Sequence, residues 1–415
     1  TQPSMSATQA TDKKKGDGVI MLMSADDGSL PGGLGRGGDG DAEAVSKLLS
    51  DRRRFELDRY YPRLMADGET PLTVPSRFLN IAPSLAVVLQ SHFAGRAISS
   101  EDEEILAAFL KEVNGAVEEM KERSPTKQAF VRLSTRSPKD AVDKGPLIPR
   151  TVSLLAEELR NAKPMSDAEL RVSSPEVCAH VRAHRGLDPQ RVLLAVRRAF
   201  FGAMAVHDAD QALLLLTYSS RVISDLKRAL DYAYVQEWNL NLVVRAFVPM
   251  DAQGELRGFV HQGKLTALSQ YYCDCYFADL LERREEYREA VNKFFESEVS
   301  ARLAYLGSYV VDFVVCPRTL DVSVVELNPF SESTGACLFD WTRDHALLRD
   351  GPLCMRVLES APLDNRAHCY LPWKALVDAA WRQIDDEERA QSRGGKRASE
   401  EKPGTPGDET GCTLS

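Results

Sequence analysis

No stretch of this sequence approaches the roughly 18 consecutive apolar residues that a membrane helix needs. The longest candidate, VLLAVRRAFFGAMAV, is broken by Arg197 and Arg198. A basic excess is also missing. The formal charge of −9 over 415 residues gives no electrostatic footprint for nucleic acid, and no nucleic-acid partner is expected. Nor is there a cysteine framework: eight cysteines scattered through so long a chain fit reduced thiols in the cytosol. The Gly-x-x-x-x-Gly-Lys-Ser/Thr pattern is absent, which excludes a P-loop phosphate cradle. Gly33, Gly35 and Gly38 have formal dinucleotide-motif spacing, but no strand leads into them, so they read as a Gly-rich linker. The polar N-terminus, with Lys13, Lys14 and Lys15 before a short VIMLM, does not read as a secretory leader. No Ser/His/Asp triad and no internal repeat can be placed.

What is present is ordinary in bulk and uneven along the chain. Hydrophobic residues at 43% and charged residues at 27% are the balance of a soluble globular protein, long enough for one two-lobed domain. Residues 1–45 are aperiodic and read as disordered. Residues 385–415 turn polar and read as a solvated, disordered tail. Residues 46–384 then hold the fold. In SSEDEEILAAFLKEVNGAVEEMKER, Ser100 and Glu103 can form a capping box, while Leu106, Phe109, Val113 and Val117 share a helix face. QAFVRLST reads as a strand and RSPKDA as a turn. QRVLLAVRRAFFGAMAV reads as a helix or a strand–helix pair, and ALLLLTY and NLNLVVRAFVP as strands. GELRGFVHQGKLTALSQYY is a hairpin around Gln262–Gly263, and RREEYREAVNKFFESEVSARL an amphipathic helix. SYVVDFVV and VSVVELN are two more strands. Hairpins rather than βαβ units predict an α+β fold with antiparallel sheets.

The last two strands carry the chemistry. If the turn PRTLD centres on Thr319, Asp312 lies opposite Glu326, and strand alternation puts Asn328 on the same face as Glu326. Three hard oxygen donors in an apolar setting suit Mg²⁺. Alternatively, the two acids meet Arg or Lys partners, or face solvent. Arg245 and Arg257 sit inside apolar strands. Each fits a structural ion pair, or a phosphate held opposite a carboxylate–amide hairpin.

Several segments, read in order, resemble the cell division cycle protein 123 family. They are RYYPRL, RLSTRSPKDA, LNLVVRAFVPMDAQGELRGFVHQGKLTALSQ, SYVVDFVV and VVELNPFSESTGACLFDW, spanning about residues 52 to 345. The resemblance implies an ATP-grasp fold with an N-lobe over about 46–235 and a C-lobe over about 236–384. It implies ATP and Mg²⁺ between the lobes, with Asp312, Glu326 and Asn328 on the metal. Arg132 falls where the family has a phosphate-side lysine, Arg245 flanks the adenine hinge, and Arg257 faces the phosphates. The implied role is assembly of translation initiation factor two by a monomer, with the gamma subunit as protein partner. A carboxylate–amine ligase of the ATP-grasp kind and a pseudo-ATP-grasp interaction module are the alternatives. This chain departs from the family pattern at Glu326, usually Asp, and at Tyr218 and Tyr271, usually basic.

Other signals carry less. His180 and His184 have metal-compatible spacing but no further ligand, so they read as a solvated helix face. Cys273-x-Cys275 reads as packing. The terminal CTLS fits a prenylation signal at Cys412, which would give a cytoplasmic protein weak membrane association and no more.

Overall fold

Two sheets divide the strands in the computed structural model of the chain. The structure describes residues 46–47, 49–65, 71–233, 237–360 and 370–400, without the side chains of 371 and 393–400. The Gly33–Gly38 motif, VIMLM and Cys412 lie outside these residues. The first sheet has the order β1 (Ser76–Asn80), β4 (Asn241–Ala246), β2 (Ala129–Leu133) and β3 (Ala205–Val206), all antiparallel. The second has the order β8 (Val322–Pro329), β7 (Tyr309–Val315), β5 (Glu255–His261), β6 (Lys264–Gln270) and β9 (Cys354–Arg356). Its β6–β9 pair is parallel, so the expectation of purely antiparallel sheets is corrected there. Hairpin connections force antiparallel neighbours, whereas β9 returns after a long crossover and is free of that constraint.

Alternation decides which face is core. Leu256, Val311, Phe313 and Val324 join the main core, as do Val131, Leu133, Leu242 and Val244 of the first sheet. The other face of the second sheet makes a smaller core of Phe259, Ala267, Val310, Phe339 and Leu348. The β5–β6 hairpin turns at Gln262 and Gly263 with φ of 50° and 78°, the two positive values a tight two-residue hairpin requires. At Gly254 a β-carbon would run into the carbonyl of Val315, so only glycine lets the chain enter β5 beside β7.

Four other expectations are corrected. The Ser100–Arg123 helix is capped one residue earlier: Ser99 accepts from Asp102 N–H at 3.2 Å, and Asp102 closes the box. The Leu run in ALLLLTY is a helix, Ala209–Thr217, because Asp208 caps it by accepting from Gln211 N–H at 2.8 Å; a short apolar run does not separate helix from strand. Residues 386–400 continue the helix Lys374–Glu400 in place of the expected tail, whose remaining residues 401–415 lie outside the described ones. Its inner side packs on the Ile148–Asn161 helix, and its polar side pairs Glu387 with Arg160, and Asp385 and Glu388 with Arg185. Finally, β4 lies beyond the expected lobe boundary near 235 yet sits at the centre of the first sheet, so the sheet-to-sheet connection is residues 247–254. QRVLLAVRRAFFGAMAV resolves as a helix, Pro189–Ala203, followed by β3. Among the described residues no helix is long and apolar enough to cross a membrane.

Candidate functional site

The β7–β8 register pairs Asp312 with Glu326, as the turn spacing predicts. It then slips by one residue between Asp312 and Phe313, which makes Val325 a bulge. A bulge re-aims neighbouring side chains, and here both Val325 and Glu326 line a cleft between the sheets. Arg245 secures the bulge by donating to the Val325 carbonyl at 3.2 Å, to Thr73 Oγ1 at 3.0 Å and to Ser76 Oγ at 3.1 Å.

Two chemically different sets of side chains line the cleft. Phe200, Phe201, Met204, Phe247, Val248 and Met250 are apolar, and the Phe201 and Phe247 rings lie 5.0 Å apart. Arg132, Lys139, Arg197, Glu255, Asp274 and Glu326 are charged. Arg132 on β2 donates to Glu326 on β8 at 2.7 Å, so this ion pair spans the two sheets. Burial alone would raise the Glu326 carboxyl; Arg132 and Lys139 outweigh it and hold the group down at about 2. Burial, with the Arg132 charge nearby, pulls Arg245 down to about 10. Burial, with Asp312 nearby, pushes Glu255 up to about 8.

The sequence-predicted residues do not all face one point. Arg132, Arg245 and Glu326 line the cleft. Asp312 lies behind it, 1% exposed in its side chain, and both its oxygens accept from Arg257 at 2.8 Å. Burial still drives its carboxyl upward against that pull. Arg257 also donates to the Gly335 carbonyl at 2.7 Å, so it is held away from the cleft. Asn328 donates to Asp312 at 3.4 Å and lines a neighbouring cavity with Thr135, Arg136 and Asp225. Each carboxylate therefore has an arginine partner, the alternative that the sequence left open. Among the described residues no three His, Cys, Asp or Glu side chains are spaced to hold a metal ion, so a cation here would need the amide of Asn328. The donor set suits a hard cation in kind, and Arg257 would have to share Asp312 with it.

Lys139 is the site residue that sequence reasoning missed. Its neighbour Asp140 accepts from Ser219 and Ser220 at 2.6 Å each and from Lys144 at 3.0 Å. That anchors the SPKDA loop and sends Lys139 to the Tyr271 hydroxyl at 3.2 Å. The Ser-Pro-Lys-Asp-Ala string was the available signal. Tyr271 thus lines the cleft against Lys139, with its ring also under Arg257 at 5.1 Å. Tyr218 lies elsewhere, its ring against Gly145. The solvated helix face expected for His180 and His184 is corrected: both are half-buried beside Tyr370, whose hydroxyl lies 2.7 Å from His184 Nε2.

The D123 family model matches residues 200–385. This stretch is similar to the D123 family. It carries Arg245, Arg257, Asp312, Glu326 and Asn328; Arg132 and Lys139 precede it. The chain is similar to cell division cycle protein 123 of Candida glabrata, 28% identical over 142 residues, covering 32% of this chain and 39% of that protein. It is also similar to a translation initiation factor eIF2 assembly protein of Dictyostelium discoideum, 28% identical over 146 residues, covering 35% of this chain and 37% of that protein. The match to these relatives spans less than two fifths of their length. The solved structure of Cdc123 from Schizosaccharomyces pombe matches with a TM-score of 0.48 and 18% identity, covering 75% of this chain and 98% of that one.

Proposed function

We propose that this protein is an assembly factor for translation initiation factor two, working in the cytoplasm through an ATP–Mg²⁺ cleft of the ATP-grasp kind, with the gamma subunit as its partner. The observation that carries the nucleotide part is the mixed lining of the cleft. Phe200, Phe201 and Phe247 share it with Arg132, Lys139 and Glu326, which offers apolar surface for a base and cations for phosphates. The aromatic side chains would take the base, and Lys139 and Arg132 the phosphate oxygens. Glu326, Asn328 and Asp312 would hold Mg²⁺, which would neutralise phosphate charge. Arg132 would then exchange its carboxylate partner for a phosphate, and Arg257 would share Asp312 with the metal.

The test is calorimetric titration of ATP with Mg²⁺ into the wild type, Lys139→Ala and Glu326→Gln, beside capture of initiation-factor subunits with and without ATP. Heat in the wild type only, and ATP-dependent capture, are the expected results. Absence of heat in all three removes the nucleotide part. A second reading, an interaction module with a silent cleft, is favoured by the arginine partners of both carboxylates. Subunit capture that survives Glu326→Ala unchanged would select it.

A further inference from the structure

The loop after β6 and the segment after β8 bring two thiols to one backbone oxygen. Cys273 Sγ donates to the Tyr271 carbonyl at 3.3 Å, and Cys337 Sγ lies 3.8 Å from the same oxygen. Each thiol lies near enough to the other to shift its ionisation. Both are free and half-buried, so a small oxidant can reach them. Cys337 has a φ of 57°, a left-handed conformation that a β-carbon disfavours. Its neighbours hold it there: Gly335 O accepts from Arg257 at 2.7 Å, and Leu338 N–H donates to Ser269 Oγ at 3.1 Å. The Cys337 thiol is therefore fixed relative to β5 and β6, where Cys273 begins the next loop.

From this geometry we infer that Cys273 and Cys337 form a reversible disulfide on exposure to a peroxide, a modification site behind the cleft wall. The Cys337 thiolate attacks one peroxide oxygen and the O–O bond breaks, leaving a sulfenic acid and releasing hydroxide. Cys273 sulfur then attacks the sulfenic sulfur, the S–O bond breaks, and the Cys273 proton leaves with that hydroxyl as water. Two thiols are oxidised and one peroxide is reduced. The order of roles follows the surroundings. The neighbouring Cys273 thiol lowers the Cys337 thiol against burial, aided by Arg257, whereas Cys337 and burial push Cys273 up. Tyr271, Tyr272 and Asp274 line the cleft, so the bond would tie that wall to the segment following β8.

The experiment uses the full chain, stoichiometric hydrogen peroxide, alkylation and peptide mass mapping. A Cys273–Cys337 linked peptide, reversed by dithiothreitol, is expected in the wild type. Cys273→Ser should instead trap as a dimedone adduct at residue 337, and Cys337→Ser should give no link. The inference is overturned if both wild-type thiols stay alkylatable, or if the link forms elsewhere, or if Cys337 passes to sulfinic acid unlinked. Wild-type mapping decides even where a variant fails to fold, and it involves no nucleotide.

Discussion

Glu255 shows how one buried carboxyl sets a pH dependence. Its carboxyl, held at about 8 in the fold, faces Asp312 across a buried site and lies beside the Tyr272 hydroxyl. In the unfolded chain it titrates near the ordinary value of 4.5. Between those values the folded state keeps a proton that the unfolded state has lost, so stability falls as pH rises. Glu255→Gln should therefore gain stability relative to the wild type, from nothing below pH 4.5 to a plateau above about pH 8. A gain of about 1–3 kcal/mol in urea unfolding is expected, discounted for partial exposure. A difference curve that falls with pH would contradict this. At Asp140 the effect runs the other way. Removing its carboxylate leaves the buried Ser219 hydroxyl without its acceptor, while the exposed Ser220 turns to water, so Asp140→Ala should cost about 1–3 kcal/mol, read as a lower melting temperature.

The helix Lys374–Glu400 separates packing from charge. Val377, Ala380 and Ile384 are buried to within 1% against the rest of the protein, while its ion pairs with Arg160 and Arg185 lie in solvent. Ile384→Ala should cost about 2–4 kcal/mol in chemical denaturation, because it leaves a cavity. Arg185→Ala should cost less than about 1 kcal/mol, since exposed pairs are screened. Equal losses would mean the charges carry the docking. The same helix shows where the sequence stops being legible. Its apolar residues end at Ile384, and DDEERAQSRGG beyond them has the composition of a tail; only a partner surface across the helix makes it structure. By contrast the β5–β6 and β7–β8 hairpins were readable, because alternation and turn residues are local. Of the candidate site, the Asp312–Glu326 pairing was readable for the same reason. The bulge at Val325 and the commitment of Arg257 to Asp312 were not, since both depend on neighbouring strands. Lys139 depends on the Asp140 anchor, which is assembled from residues some 80 positions apart.

Across the whole molecule, the Arg132–Glu326 pair does what neither sheet can do alone. It joins β2 to β8 over a cleft that the connection at 247–254, Arg245, Lys139 and the bridge from Thr73 to Val324 also span. Its side chains are 7% and 18% exposed, so the charges are largely desolvated and each depends on the other. Glu326→Gln leaves the Arg132 charge without its counterion and should cost roughly 2–4 kcal/mol, somewhat under a fully buried pair. Replacing both, Arg132→Met with Glu326→Leu, removes the desolvation cost as well and should cost less than Glu326→Gln alone. The pH signature has the opposite sign from that of Glu255. A carboxyl held at about 2 contributes stability that is complete above its ordinary 4.5 and is lost as pH falls through 2. The wild-type advantage over Glu326→Gln should therefore be flat above pH 5 and shrink in acid, measured by urea unfolding at a series of pH values. If instead the double replacement is the least stable of the three, the pair serves packing between the sheets more than charge, and exchange of Arg132 onto a phosphate would weaken the cleft instead of closing it.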